Sequence, residues 1–266
     1  MDYTWRARLL HQEGREDAAL AACESALKIN PDYRDALRLR VKLHRDLKHD
    51  EDVIRSCDNL LARDKPSAEL YELRGLAREK LRDHLGAIED HTLAIALHPG
   101  RAPLLARRGK LYLVTDAPRS ALRDFEEAIR LDASNADAYL GRGLALVALG
   151  HHREAAADAA KALGMSEPTS TRLYNAARIH ARAAIAEAAE ARKQGPDAVR
   201  RATRYQDQAI SLLGEWLKRL PAADRAASLR DLLQDPAMAT LRHRLRSLEL
   251  AGTGSPSAAS PSQTRP

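Results

Sequence analysis

Ten histidines and two cysteines are the residues in this 266-residue chain most able to do metal or nucleophilic chemistry. A neutral imidazole binds a metal, and a thiolate attacks or ligates. His151 and His152 form the one adjacent histidine pair, but no HExxH or comparable ligand spacing surrounds them, so they read as a solvated turn. Cys23 and Cys57 stand 34 residues apart with no CxxC in the chain, a pattern of small core-filling side chains and not of a redox pair or zinc site. The Gly-Arg-Gly run at 141–143 follows no strand, so it is not a phosphate loop. No GxxxxGK[ST], GxSxG, EF-hand, HRD or DFG signature occurs. Nothing supplies a nucleophile, a base and an orienting group together. No catalytic residue, metal ligand or cofactor is therefore expected.

The elements that carry these residues follow from composition. Hydrophobic residues make up 44%, charged residues 30% and aromatics 4%, with a single Phe. Such a core must be built from Ala and Leu, which favours close-packed helices over strands. No apolar run approaches the ~18–20 residues of a membrane span. The N-terminal MDYTWRARLLHQEGRED has no apolar signal segment, and two cysteines fit a reducing compartment, so a cytoplasmic location is expected. The net charge of +6 is uneven: residues 170–250 hold 15 Lys or Arg against 9 Asp or Glu, whereas residues 1–169 hold 27 against 28. Only 9 of the 43 basic residues are Lys, and this Arg and Ala richness suggests a GC-rich bacterial source.

Self-similarity then reorganises the reading. The chain falls into frames of 34 residues, with Pro31 at place 32 of the first. Place 8 holds Ala7, Val41, Gly75, Gly109, Gly143 and Ala177. Place 20 holds Ala19, Val53, Ala87, Ala121 and Ala155, and place 27 holds Ala26, Leu60, Ala94, Ala128 and Ala162. Pro31, Pro66, Pro99 and Pro168 fall near the frame ends. Small residues at these places let two antiparallel helices approach closely, and larger ones at places 4, 11 and 24 fill the gaps. Gly14 and Gly150 suit a left-handed turn between the helices.

This pattern resembles the tetratricopeptide repeat family. The resemblance implies an all-α, right-handed α-α superhelical solenoid of five to six helix pairs with a C-terminal helical cap. Five repeats are expected over residues 1–169 (about 1–33, 34–67, 68–101, 102–135 and 136–169). A degenerate sixth repeat with capping helices is expected over 170–250, and a Gly-, Ser- and Pro-rich disordered tail over 251–266. Frame two, with Val41, Val53 and Leu60 at the small places, should pack more loosely. Frame four turns through Thr-Asp-Ala-Pro-Arg-Ser without a glycine. Met1 falls inside the first helix with no capping stretch before it, so a start further upstream is as compatible as a native one.

Arg recurs at place 7 (Arg6, Arg40, Arg74, Arg108, Arg142), and Asp stands at place 23 in frames three to five (Asp90, Asp124, Asp158). Both places flank the buried small residues, which predicts a ladder of Arg74–Asp90, Arg108–Asp124 and Arg142–Asp158 between paired helices.

The resemblance also implies a concave groove lined by the first helix of each repeat, suited to a protein or peptide partner of unknown identity. Its expected residues are Arg8, His11, Arg38, Lys42 and Arg45, then Glu69, Glu72, Leu76 and Glu79, then Lys110 and Leu113, then Leu140 and Leu144, and finally Tyr174 and Arg178. The groove would thus run from basic through acidic to apolar, unless the long sixth hairpin covers its apolar end. The family's carboxylate clamp for chaperone C-terminal tails needs groove Asn residues that the five frames lack, so that partner is disfavoured. The pieces LYNAARIHARAA, YQDQAISLL and RDLLQDPAMATLR are similar to the ends of repeat arrays attached to planctomycete-type bacterial serine/threonine kinases. That likeness implies a signalling scaffold, or a fragment of a kinase whose catalytic part lies elsewhere. Nucleic-acid binding through Arg192 to Arg204 and Arg242 to Arg246 is the alternative, although no stacking aromatics accompany that charge.

Overall fold

A computed structural model describes residues 3–63 and 65–246, without the side chains of Arg192 and Gln194. The expected tail at 251–266 lies outside the described residues. Among the described residues every regular element is helical. They fall into two compact units, divided between Ala133 and Ser134.

The first unit is four helical hairpins: α1 (Tyr3–Gln12) with α2 (Glu16–Ile29), α3 (Arg34–Asp46) with α4 (Asp50–Leu61), α5 (Ala68–Lys80) with α6 (His84–Leu97), and α7 (Ala102–Val114) with α8 (Pro118–Leu131). Within this unit α2, α4 and α6 also pack against the first helix of the next hairpin, α3, α5 and α7 respectively. The small residues sit where the helices cross: Ala7, Ala19, Ala26, Ala87, Ala94, Ala121 and Ala128 are all buried. Gly75 and Gly109 are required by contact. A Cβ on Gly75 would lie 2.7 Å from His91 Cε1, and one on Gly109 3.0 Å from Phe125 Cζ. In the second hairpin Val41, Val53 and Leu60 are also buried. Their bulk shows as expected, since α3 and α4 lie close over a shorter stretch than α5 and α6.

The turns within hairpins share one hydrogen-bond pattern. Arg15 N–H donates to Leu10 O at 2.9 Å and Gly14 N–H to His11 O at 3.0 Å; His49, Asp83 and Ala117 repeat the first bond toward His44, Arg78 and Tyr112. This is the Schellman closure of a helix, which needs a left-handed residue before the bonding one. Gly14 fills that place with φ 73°, but Lys48 (60°), Arg82 (62°) and Asp116 (55°) fill it in the other three hairpins. The glycine-free fourth turn therefore closes in the same way, at a steric cost of ~1–2 kcal/mol.

The second unit begins with the hairpin α9 (Ala136–Ala148) and α10 (His152–Met165), turned at Gly150 with φ 86°. Gly143, Ala155 and Ala162 form its close contact; a Cβ on Gly143 would lie 2.9 Å from Ile179 Cδ1. Two long helices follow, α11 (Ser170–Gln194) and α12 (Pro196–Arg219), then α13 (Ala222–Gln234) and a 3₁₀ segment, Pro236–Leu241. Asn135 and Thr169 cap α9 and α11 through their side chains. The stretch after Pro221 is broken at Pro236, whose missing N–H ends α13, while Asp235 Oδ1 accepts from Ala237 N–H at 2.7 Å. Ala177, Ala181, Ala209, Leu213, Leu229, Leu232, Met238, Leu241 and Leu245 form the core joining these elements.

The expected ladder is present. Arg74 Nη2 donates to Asp90 Oδ1 at 2.6 Å, Arg108 Nη2 to Asp124 Oδ1 at 2.7 Å and Arg142 Nη2 to Asp158 Oδ1 at 2.7 Å. Each guanidinium also lies over a tyrosine ring, that of Tyr71, Tyr112 or Tyr139.

Candidate functional site

In the first unit, α1 and α3 place Arg8, His11, Arg38 and Lys42 around one open depression of about 390 Å³, together with Gln12, Asp35 and Leu39. Helical spacing explains the grouping, since Arg8 and His11, like Arg38 and Lys42, are one turn apart on the same face. The charge is partly answered from within: Arg8 Nη2 donates to Asp35 Oδ2 at 3.2 Å, and His11 Nδ1 lies 2.8 Å from Glu16 Oε2. Arg45, also exposed, is not among the residues lining this depression and pairs with Asp46 at 3.0 Å.

The acidic stretch is far less free than its sequence implies. Glu72 is held by Arg101. Glu79 takes Arg107 Nη1 at 3.0 Å and meets the buried His91 Nε2 at 2.6 Å. Burial alone would raise the Glu79 carboxyl, but its hydrogen bonds to His91 and Arg107 leave it below the ordinary glutamate range. Glu69 is exposed, Leu76 and Leu113 are half-buried, and Lys110 is exposed. The pairs Arg101–Glu72 and Arg107–Glu79 join neighbouring first helices. Their signal in the sequence is opposite charge 28 or 29 residues apart.

In the second unit the expected apolar anchor is corrected. Leu140 is 2% exposed on α9, a helix against which α10 and α11 both pack. Leu144 is half-buried. Tyr174 packs against the core beside α12, its ring centroid 5.1 Å from that of Trp216. Arg178 stacks over Tyr174, and its Nε is buried with no hydrogen-bond partner among the described residues. Within this unit, then, Leu140 is not available as a surface anchor.

Sequence reasoning missed Glu187. It is 4% exposed on α11 and accepts from Arg153 Nε at 2.5 Å and Arg201 Nε at 2.8 Å, tying α10, α11 and α12 together. The Arg153 hydrogen bond leads in holding its carboxyl below the usual range. Beside it His151 is exposed as expected, whereas His152 is half-buried with Nδ1 enclosed. Several C-terminal arginines are likewise engaged: Arg200 with Asp197, Arg219 with Glu215 and Arg244 with Asp207. Cys23 and Cys57 are fully buried free thiols, pushed up by burial to about 11 and about 12. No described helix is long and apolar enough to cross a membrane.

Hairpins stacked through small residues at a fixed interval define a helical-repeat protein. The model of the tetratricopeptide repeat family matches residues 3–33 and 136–169, so the first and fifth hairpins are similar to repeats of that family. A TPR repeat-containing thioredoxin, TDX, of Arabidopsis thaliana is 40% identical over 72 residues, which is 27% of this chain and 19% of that protein. A FAM10 family protein of Arabidopsis thaliana is 36% identical over 72 residues, and there the chain spans 16% of the relative. The C-terminal part of a TPR repeat-containing protein from Cytophaga hutchinsonii shares the fold with a TM-score of 0.66 at 14% identity, covering 96% of each chain. YrrB, described as a TPR protein with an unusual peptide-binding site, aligns with a TM-score of 0.56 at 19% identity, over 72% of this chain and 92% of that one.

Proposed function

We propose that the chain is a non-enzymatic scaffold that holds a protein or peptide partner against the first helices of its repeats. In this reading five repeats fill residues 1–169 and the helices beyond them are a cap. The observation that carries it is the depression between α1 and α3, where Arg8, His11, Arg38 and Lys42 converge on solvent. Arg8, Arg38 and Lys42 on one helical face favour an acidic segment, because their positive potential complements its charge. Glu69, Glu72, Leu76, Glu79, Lys110 and Leu113 would extend the contact along the first unit. Glu72 and Glu79 act there as partners of Arg101 and Arg107 more than as free acids. The described peptide-binding site of YrrB is consistent with such a role. We further propose that the scaffold is cytoplasmic and serves as the interaction arm of a bacterial signalling protein, on the strength of the C-terminal likeness.

The test is a binding screen of the purified chain against fluorescent peptides that are acidic, basic or neutral at matched length. Acidic peptides should bind best, and reversing Arg38, Lys42 and Arg45 to Glu should abolish that preference. Equal binding by the reversed protein would reject the face.

A further inference from the structure

Outside the proposed peptide face, the turn between α3 and α4 gathers two imidazoles and a carboxylate. His44 lies in the last turn of α3, His49 is the N-cap residue of α4, and Asp52 lies in its first turn. One ligand atom from each lies within 4.8 Å of the others. The two imidazole centroids are 6.0 Å apart. We propose that His44, His49 and Asp52 form a site for a divalent transition metal, with zinc the expected ion and solvent completing its coordination.

Three features carry the assignment. The first is the donor set: two imidazoles and one carboxylate suit zinc and its neighbours and disfavour magnesium or calcium, which take oxygen ligands. The second is an unmet need. His44 is 7% exposed, and its Nδ1 is buried with no hydrogen-bond partner among the described residues, a costly state that a metal or a rearranged partner would relieve. The third is the scaffold. His49 N–H donates to His44 O at 2.9 Å across the left-handed Lys48, so the Schellman turn itself fixes the separation of the two histidines. Asp52 gives only Oδ1 to Arg55, which leaves Oδ2 for an ion.

Tetrahedral zinc with bonds near 2.0 Å sets its ligand atoms about 3.3 Å apart. The three ligand atoms lie within 4.8 Å of one another, and the exposed His49 is the residue able to rotate to close any remaining gap. The neighbouring cluster of His11, Glu16 and Asp46 differs in kind. There His11 Nδ1 is already satisfied by Glu16 at 2.8 Å, and Asp46 lies 3.8 Å from Nε2.

The experiment is titration of the full, tag-free, chelator-treated chain with zinc chloride against a competing chromophoric chelator. One zinc should bind per chain at micromolar free zinc. His49→Ala and Asp52→Asn, both at solvent-accessible positions, should each weaken binding by more than the roughly tenfold that loss of an outer-shell partner costs. His11→Ala should leave it unchanged. Cobalt should give a four- or five-coordinate visible spectrum that His49→Ala removes. Absence of stoichiometric binding, unchanged affinity in both His49→Ala and Asp52→Asn with helicity retained, or loss on His11→Ala alone would overturn the site.

Discussion

Asp124 on α8 is gripped by Arg108 on α7 through two parallel hydrogen bonds, 2.8 Å from Nε and 2.7 Å from Nη2. Sixteen residues separate them, the same interval as Arg74 from Asp90 and Arg142 from Asp158. Arg108 also reaches back from Nη1 to Thr92 Oγ1 at 3.0 Å, and Arg74 back to Asp58, so each of these arginines ties its own hairpin to the preceding one. The carboxylates of Asp124 and Asp158 are 6% exposed by residue and Asp90 is fully enclosed.

Breaking such a pair leaves a half-buried guanidinium without its carboxylate. Asp124→Ala should therefore cost about 3–5 kcal/mol, well above the ~0–1 kcal/mol of an exposed bridge. Chemical denaturation read by helicity checks this, with Glu127→Ala, which removes the exposed Arg130 pair, as the low-cost reference.

The second hairpin lacks its rung. Arg40 occupies the arginine place, but Ser56 stands where Asp is found in later hairpins, and Arg40 Nε is buried with no partner among the described residues. Ser56→Asp should supply the missing acceptor and stabilise the chain by about 1 kcal/mol. A rise in the denaturation midpoint that disappears in the Ser56→Asp, Arg40→Met double variant would show that the pair is responsible.

Three hairpin turns of the first unit hold a side chain in the left-handed region at Lys48, Arg82 and Asp116. Arg82→Gly removes the Cβ clash there and should stabilise by about 1 kcal/mol, after allowance for the greater freedom of glycine in the unfolded chain. Gly150→Ala, at the equivalent turn of the second unit, should shift stability by a similar amount in the opposite direction. Thermal melts of the two single variants suffice.

His180 is 3% exposed, stacked 5.8 Å from Tyr205, and lowered by burial, with Arg204 adding to the effect, to about 4. In the unfolded chain it titrates near 6.5. The unfolded state therefore binds the extra proton between these values, and stability is full above pH 6.5 and falls as pH drops toward 4. The loss attributable to His180 should be about 2 kcal/mol by pH 5. His180→Phe keeps the stacking and removes the proton, so its stability should fall less over this range.

Much of the hairpin architecture is legible in the sequence because its causes are local. Ala or Gly stands at the helix crossings of four of the five hairpins, so the steric demand returns every 34 residues, even though the second hairpin meets it with Val41, Val53 and Leu60. The Arg–Asp interval of sixteen follows from the length of one hairpin. Even so, glycine marks only two of the five turns. The Schellman hydrogen bonds hold the left-handed place whatever side chain stands there, and Lys48, Arg82 and Asp116 carry no such mark.

Only the tertiary structure decided which face residues remain available. Leu140 reads as a surface anchor by its place in the frame, yet it is buried on a helix that packs against both α10 and α11. Glu79 reads as a free acid, yet Arg107 and His91 converge on it from neighbouring helices. Glu187, from a stretch with no repeating pattern, becomes the buried joint of three helices. Sequence by itself determined the helix pairs and their crossing residues, since a close approach admits few side chains. The exposure and pairing of the rest depend on how separate helices are laid against one another, which no single interval along the chain records.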